Sequence, residues 1–284
     1  MPLTKMSPLL LKADEEGYAV GSFSVANMEM VLGVLKAVEE TKSPAILQIA
    51  EVRLRQSPLE VIGPLMVAAA QNCTMPVAVH FDHGKTENKI RQALDIGFTS
   101  VMYDGSHLPF EENSAITARV KAIANEYDAD CEGEIGCVGG SEDGSEDIAV
   151  NCTSPVQAKS FSVITGVDAL AVAIGNAHGN YKQAPKLRFD ILEETASLVD
   201  VPLVLHGGTG ILPDDFRKCV SLGIRKINIA TATFDSVQNS VKTAYEGGKI
   251  GGYYDLQEAE VNGAYENAMK HIEIFGCAGK GILN

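Results

Sequence analysis

The chain has 284 residues, 45% of them hydrophobic, and its 37 acidic against 23 basic side chains give a formal charge of −14. That length admits one large α/β domain or two small ones, and the apolar share is enough for a sizeable core. The acidic excess argues against a nucleic-acid surface, which needs clustered Lys and Arg to neutralise phosphates. It also obliges any anionic substrate to be drawn in by a local cation or by oriented backbone amides. The opening "MPLTKMSPLLLKADEEGYAV" has only a short leucine run, broken by Lys12, Asp14, Glu15 and Glu16, which does not read as a signal peptide. No segment approaches the roughly 20 apolar residues of a membrane helix. Six cysteines, at 73, 131, 137, 152, 219 and 277, form no CxxC pair, which reads as free thiols in a reducing cytoplasm rather than a cysteine zinc site. The expectation is a soluble cytoplasmic protein with neither a membrane nor a nucleic-acid partner.

In chain order, short β-branched runs alternate with longer helical patterns. The candidate strands are "YAVGSFSV" (18–25), "AILQIA" (45–50), "PVAVHF" (76–81) and "TSVMYD" (99–104). Four more follow, "ADCEGEIG" (129–136), "DALAVAIG" (168–175), "PLVLHG" (202–207) and "IRKINIA" (224–230). Between them lie amphipathic segments such as "NMEMVLGVLKAVEETK" and "TENKIRQALDIG", the second with Ile90, Ala93, Leu94 and Gly97 near helical spacing. Strands alternating with helices imply right-handed βαβ units and a parallel sheet. Eight such units fit a closed (β/α)8 TIM barrel, a single domain over residues 1–284. The rival, an open doubly wound sheet, predicts a glycine fingerprint after the first strand, and "FSVANMEM" has none. Two segments depart from the regular spacing. "CVGGSEDGSEDIAVNCTSP" (137–155) is a long polar loop where a mobile lid is expected, and "EGGKIGGYYDLQ" precedes a C-terminal helix expected near 256–275.

Chemistry in such a barrel sits at the carboxyl ends of the strands. Those ends carry Asp82 and His83 on the third strand, Asp104 on the fourth, Glu132 and Glu134 on the fifth, His178 after the sixth, His206 on the seventh, and Asn228 and Thr231 at the eighth. Three of the six histidines therefore face one mouth. Three neutral imidazoles with a fourth position open to water or substrate suit a catalytic Zn2+. His80 shares parity with Asp82 and is expected to point inward and be hydrogen-bonded, while His107 and His271 read as ordinary loop and helix residues. In "HGGTG" and "INIATATF", Gly207, Gly208 and Gly210 permit close backbone approach, and Thr209, Asn228 and Thr231 offer donors, as a phosphate site after the last two strands would need. Asp82, beside a metal ligand, is a candidate general acid/base, and Glu134 reaches the metal or organises a ligand. From the residues alone, Glu142 and Asp143 in "SEDG" read as a solvated acidic run.

Taken together, "HFDHG", "SVMYDGSHLPFEEN", "EGEIGCVGGSEDG", "AIGNAHGNY", "LHGGTGI" and "KINIAT" resemble the class II, zinc-dependent ketose-bisphosphate aldolase family, in order and over residues 17–235 or so. The resemblance implies reversible cleavage of a ketose phosphate to dihydroxyacetone phosphate and an aldehyde. It implies Zn2+ on His83, His178 and His206, with Glu134 as an alternative or second-site ligand and Asp104 as another second-site candidate. Asp82 becomes the proton donor to the aldehyde oxygen, and Glu142 the lid group that moves the C3 proton. Gly179, Gly207, Gly208, Thr209, Asn228, Ile229, Ala230 and Thr231 fall in the dihydroxyacetone phosphate site, with a monovalent cation, Na+ or K+, nearby. A homodimer or homotetramer is the usual assembly. The chain departs from the family pattern at Ala230 and Ala232 in "NIATA" and at Ala50 in "AEVRLRQSP", so the implied product is a ketose 1-phosphate whose second phosphate is in question; Arg53 or Arg55 could meet another anion, although a surface role is the simpler reading. The rivals are a Schiff-base aldolase using Lys226, a metal-dependent phosphosugar epimerase, and a non-catalytic partner subunit of an aldolase.

Overall fold

In the computed structural model, which describes residues 3–140, 150–179 and 185–282, eight strands hydrogen-bond in chain order into a closed barrel. They are β1 (Val20–Ser24), β2 (Ala45–Ala50), β3 (Val77–Gly84), β4 (Ser100–Tyr103), β5 (Asp130–Ile135), β6 (Ala169–Val172), β7 (Leu203–Leu205) and β8 (Ile224–Ile229). All neighbours are parallel, β8 closing on β1. The expected (β/α)8 barrel is the architecture found, and each expected strand is present. Every strand residue is buried, which is why these segments read as near-continuous apolar runs rather than alternating ones.

Among the described residues ten α-helices surround the barrel. Helix α1 (Met6–Glu16) precedes β1 and packs Met6, Leu9 and Leu10 under the amino-terminal ends of β1, β3 and β8. The others are α2 (Met28–Thr41), α3 (Leu59–Asn72), α4 (Glu87–Ile96), α5 (Phe110–Glu126), α6 (Pro155–Thr165), α7 (Phe189–Leu198), α8 (Pro213–Ser221), α9 (Thr231–Glu246) and α10 (Tyr253–Phe275). Local chemistry sets their starts. Asn27 Oδ1 accepts the Met30 N–H at 2.9 Å at the head of α2, and α6 and α8 begin on Pro155 and Pro213, where a missing N–H costs nothing. Helix α10 packs against both α2 and α9. Gly33 permits the close crossing of α2 and α10, because a Cβ there would fall 2.4 Å from the Val261 carbonyl oxygen.

Two strand ends differ from the sequence pattern, each for a local reason. β6 stops at Val172 although Ala173 and Ile174 are apolar and buried. Their N–H groups go to Thr153 Oγ1 (2.8 Å) and Asn176 Oδ1 (2.7 Å) instead of a neighbouring strand. β3 runs on past Phe81 to Gly84. Its pairing with β4 steps from Phe81↔Val101 to Gly84↔Tyr103, so β3 spends one extra residue over that interval. This is a bulge, and His83 within it has φ +43°, the left-handed region. Consecutive residues of a regular strand point to opposite faces. The bulge removes that restriction, and both Asp82 and His83 make their contacts inside the mouth.

Candidate metal centre

His83, His178 and His206 offer ring nitrogens that all lie within 4.8 Å of one another. His83 comes from the bulge of β3, His206 follows β7 directly, and His178 lies in the segment between β6 and α7. Two backbone contacts hold His178 beside the others. Its N–H donates to the Gly139 carbonyl at 2.7 Å. Behind it, Gly207 (φ +62°) is pressed on the Ala177 carbonyl, where a Cβ would stand 2.2 Å from the oxygen. Packing alone therefore requires glycine at 207, whatever ligand the loop binds.

The orientation of two of the rings follows from their partners. His83 Nδ1 lies 2.9 Å from Asp104 Oδ2, and His206 Nε2 lies 2.7 Å from Glu132 Oε1. An ionised carboxylate only accepts, so each of those nitrogens carries the proton. The opposite nitrogens, His83 Nε2 and His206 Nδ1, are left with lone pairs and stand 3.0 Å apart. Lone pairs facing each other at that distance are bridged by a proton or by a metal cation. Glu134 Oε2 lies 3.4 Å from the same His206 nitrogen, buried and without a hydrogen-bond partner. Burial, with the Asp104 charge added, pushes the Glu134 carboxyl up to about 8, so the cluster is short of positive charge. His83, Asp104 and Glu134 form a second overlapping ligand group. The donor set fits a divalent metal, and carboxylate–imidazole pairs are the usual means of fixing a ligating ring.

The carboxylates differ in electrostatics. Burial works against ionisation of Asp104, but the His83 hydrogen bond and charge hold it well below the usual carboxylate range. Glu132 is likewise held low against its burial, by Lys226 first and then by His206 and His80. The His206 imidazole is lowered by burial, with Glu132 opposing. His80 points inward as expected, with Nδ1 2.8 Å from Ser100 Oγ, and burial together with Lys226 keeps it far below its ordinary pKa.

Asp82 is fully buried, and both its oxygens accept from amides: Gln48 Nε2 at 3.0 Å and Asn228 Nδ2 at 3.1 Å. Asn228 and Ile229 end β8, and Ala230 and Thr231 lead into α9, whose amino terminus is at the mouth. Thr209 Oγ1 accepts the Ala232 N–H at 3.0 Å, tying the loop after β7 to that helix end. Gly208 donates to the Asn228 carbonyl at 3.3 Å, and Gly179 (φ +78°) follows His178 with open space where a Cβ would be. Glu142 lies outside the described residues. The described base of its loop is fixed by Cys137 and Asn151, which exchange N–H···O bonds of 2.8 and 2.9 Å. The Arg53 guanidinium lies 5.2 Å over the Phe234 ring, and Arg55 is exposed.

Sequence reasoning put Glu132 at the end of the fifth strand without a role, considered Lys226 only as a Schiff-base rival, and gave Gln48 no part. Shared parity of Glu132 with Glu134 on β5, and of Lys226 with Asn228 on β8, was the available signal that each pair faces inward. Lys226 is not disposed as a Schiff-base nucleophile, which needs its amine at the reacting carbonyl. Its Nζ is buried against Glu132 Oε2 at 2.8 Å and donates to Asn228 Oδ1 at 2.7 Å.

Among known proteins, the family model described as class-II fructose-bisphosphate aldolase matches residues 4–280. A fructose-bisphosphate aldolase of Staphylococcus aureus (strain Mu50) is 42% identical over 234 residues, 81% of this chain and 82% of that one. The crystal structure of the YdjI aldolase from Escherichia coli K12 is 34% identical with a TM-score of 0.89, covering 99% of this chain and 100% of that chain. A fructose-bisphosphate aldolase structure from Campylobacter jejuni, 22% identical with a TM-score of 0.81 over 98% of this chain and 97% of that one, has the same fold.

Proposed function

This chain belongs to the class-II fructose-bisphosphate aldolase family and is an aldolase, a lyase; from that premise we propose that it is a zinc enzyme joining dihydroxyacetone phosphate to an aldehyde, and reversing that step, to interconvert a ketose 1-phosphate. The observation that carries the reading is the pair of imidazole nitrogens 3.0 Å apart whose outer nitrogens are fixed by Asp104 and Glu132. His83, His178 and His206 would hold the ion, with Glu134 as the alternative ligand. When bound, Zn2+ supplies a Lewis acid for the ketone and adjacent hydroxyl oxygens of the substrate.

The chain's own groups do the rest. Asp82, oriented by Gln48 and Asn228, gives a proton to the C4 oxygen in condensation and removes it in cleavage. The amino terminus of α9, with Thr231, and the hydroxyl of Thr209 suit one phosphate, the oriented-amide attraction that a strongly acidic chain needs. Gly179, Gly207 and Gly208 line the approach, and a monovalent cation beside that phosphate fits the same need. Glu142 moves the C3 proton.

The aldehyde end is treated differently. On the rim after β2, Glu51 accepts from Lys85 N (2.7 Å), Thr86 N (3.0 Å) and Thr86 Oγ1 (2.8 Å). The two backbone N–H groups just ahead of α4, where an anion could be met, are thus already taken by a carboxylate. This supports an acceptor aldehyde without a phosphate there. The enzyme is proposed to act in the cytoplasm, its thiols all free, as a homodimer or homotetramer. No helix among the described residues is long and apolar enough to cross a membrane.

The test is a condensation assay of purified protein with dihydroxyacetone phosphate and a panel of neutral, phosphorylated and acidic aldehydes, beside metal analysis. About one zinc per chain, loss of turnover with chelator and its return with Zn2+ are expected. Full activity in metal-free protein overturns the zinc reading, and a wide preference for glyceraldehyde 3-phosphate overturns the acceptor reading.

A further inference from the structure

We propose that Lys226 is a positioning residue that orients two parts of the mouth from one buried ammonium: His206, through Glu132, and Asp82, through Asn228. The proposal rests on the reading of His206 as a metal ligand and Asp82 as the proton carrier.

Lys226 lies within β8 with no exposed surface, and its Nζ meets Glu132 Oε2 at 2.8 Å and Asn228 Oδ1 at 2.7 Å. Each partner passes the constraint on. The other oxygen of Glu132 accepts from His206 Nε2 at 2.7 Å, which fixes the proton on that nitrogen and turns the lone pair of Nδ1 toward His83. An ammonium has donors only, so the Asn228 amide must present its oxygen to Lys226. Its nitrogen is thereby aimed at Asp82 Oδ1, 3.1 Å away. Turned over, the amide would set its oxygen against the Asp82 carboxylate. Stability alone gives no reason for this pair, because apolar residues of similar volume often replace a buried ion pair without loss. What an apolar pair cannot do is assign direction to an imidazole on one side and an amide on the other.

The two arms can be separated. The double variant Lys226→Met/Glu132→Gln removes both charges together and avoids stranding either one in the core. The amide oxygen it introduces still accepts from His206 Nε2, whereas Asn228 loses the donor that orients it. With zinc-loaded protein, we expect zinc retention against a chelator within about 3-fold of the original chain, kcat lower by about 10-fold or more, and KM within about 3-fold. Lys226→Met/Glu132→Leu also removes the acceptor for His206, and zinc retention should then fall by about 10- to 100-fold. If neither double variant folds, Asn228→Ala, which keeps the ion pair, carries the test of the Asp82 arm. It should show the same kcat loss with zinc retention unchanged and the KM for dihydroxyacetone phosphate within about 3-fold, whereas loss of a direct substrate contact would raise that KM. Wild-type kcat in the Glu132→Gln double variant or in Asn228→Ala would overturn the Asp82 arm, and unchanged zinc retention in the Glu132→Leu double variant would overturn the His206 arm. A starting protein that binds no zinc would instead defeat the reading of the centre, independently of any variant.

Discussion

His206 and His271 are both buried, at 0% and 4% exposure, and burial lowers the pKa of both. Around His271 on α10, the rings of Phe216 and Phe275 stand 6.1 and 5.6 Å away, and Nδ1 donates to the Asn267 carbonyl of its own helix at 2.8 Å. That imidazole is a packing element whose polar edge is satisfied locally. Around His206 the neighbours are Glu132, Glu134 and a second imidazole. One nitrogen is answered by Glu132, and the other shares a small space with His83 Nε2 at 3.0 Å and Glu134 Oε2 at 3.4 Å. Burial is common to both sites and identifies neither. What separates them is whether the polar atoms close on one another or converge on one point, as ligands around a cation would.

Removing each ring should sharpen that contrast. His206→Ala is expected to lower kcat by about 1,000-fold or more and to abolish zinc retention, since a ligand and the partner of Glu132 go together. Steady-state kinetics at saturating zinc and metal analysis check it; a variant that keeps its zinc would place His206 outside the ligand set. Asp82→Asn comes next. A loss of about 100-fold in kcat with zinc retained is expected of a proton carrier that is not a ligand, whereas loss of zinc would make Asp82 part of the metal site. Gly207→Ala should be smaller still on kcat. Its Cβ would sit 2.2 Å from the Ala177 oxygen, so the His178 segment must move away, and zinc affinity should weaken by about 10-fold. If affinity is unchanged, His178 is not held through that contact.

The barrel was legible because its strands, buried on both faces, are short β-branched runs at regular intervals, and parallel closure leaves few other arrangements. His83, His178 and His206 were legible for the same reason: strand ends of one barrel share one rim. The orientation of those rings was not. It depends on a bulge at Asp82–His83 that inserts one residue against β4, and nothing in "HFDHG" distinguishes a strand that stops from one that kinks and continues. Glu132 and Lys226 were visible as inward-facing residues, but their pairing joins β5 to β8 across the barrel interior, and only closure brings those strands within reach. The glycine pair at 207–208 illustrates a different limit. The motif suggested ligand approach, and the structure adds a backbone contact that demands glycine at 207 in any case.

The smallest effect on activity is expected at His271, where the effect belongs to stability instead. In the folded chain its pKa falls from the ordinary 6.5 to about 4, first because of burial, with Lys270 adding to the shift and the Asn267 carbonyl opposing it. Above pH 6.5 the ring is neutral folded and unfolded, and contributes no pH dependence. As the pH drops from there toward 4, the unfolded chain takes up a proton that the folded chain refuses, so stability is lost across that window. Between pH 7 and pH 5 the loss from this one group is about 2 kcal/mol. His271→Leu keeps an apolar filling against Phe216 and Phe275 and removes the titration, so its urea-unfolding free energy should fall by about 2 kcal/mol less than the parent's over the same interval. Its kcat at pH 7 should stay within about 2-fold of the parent value. An unchanged difference between the two pH values would mean that the acid sensitivity of the fold resides elsewhere, and a collapse of kcat would give His271 a part in the mouth that its neighbours do not suggest.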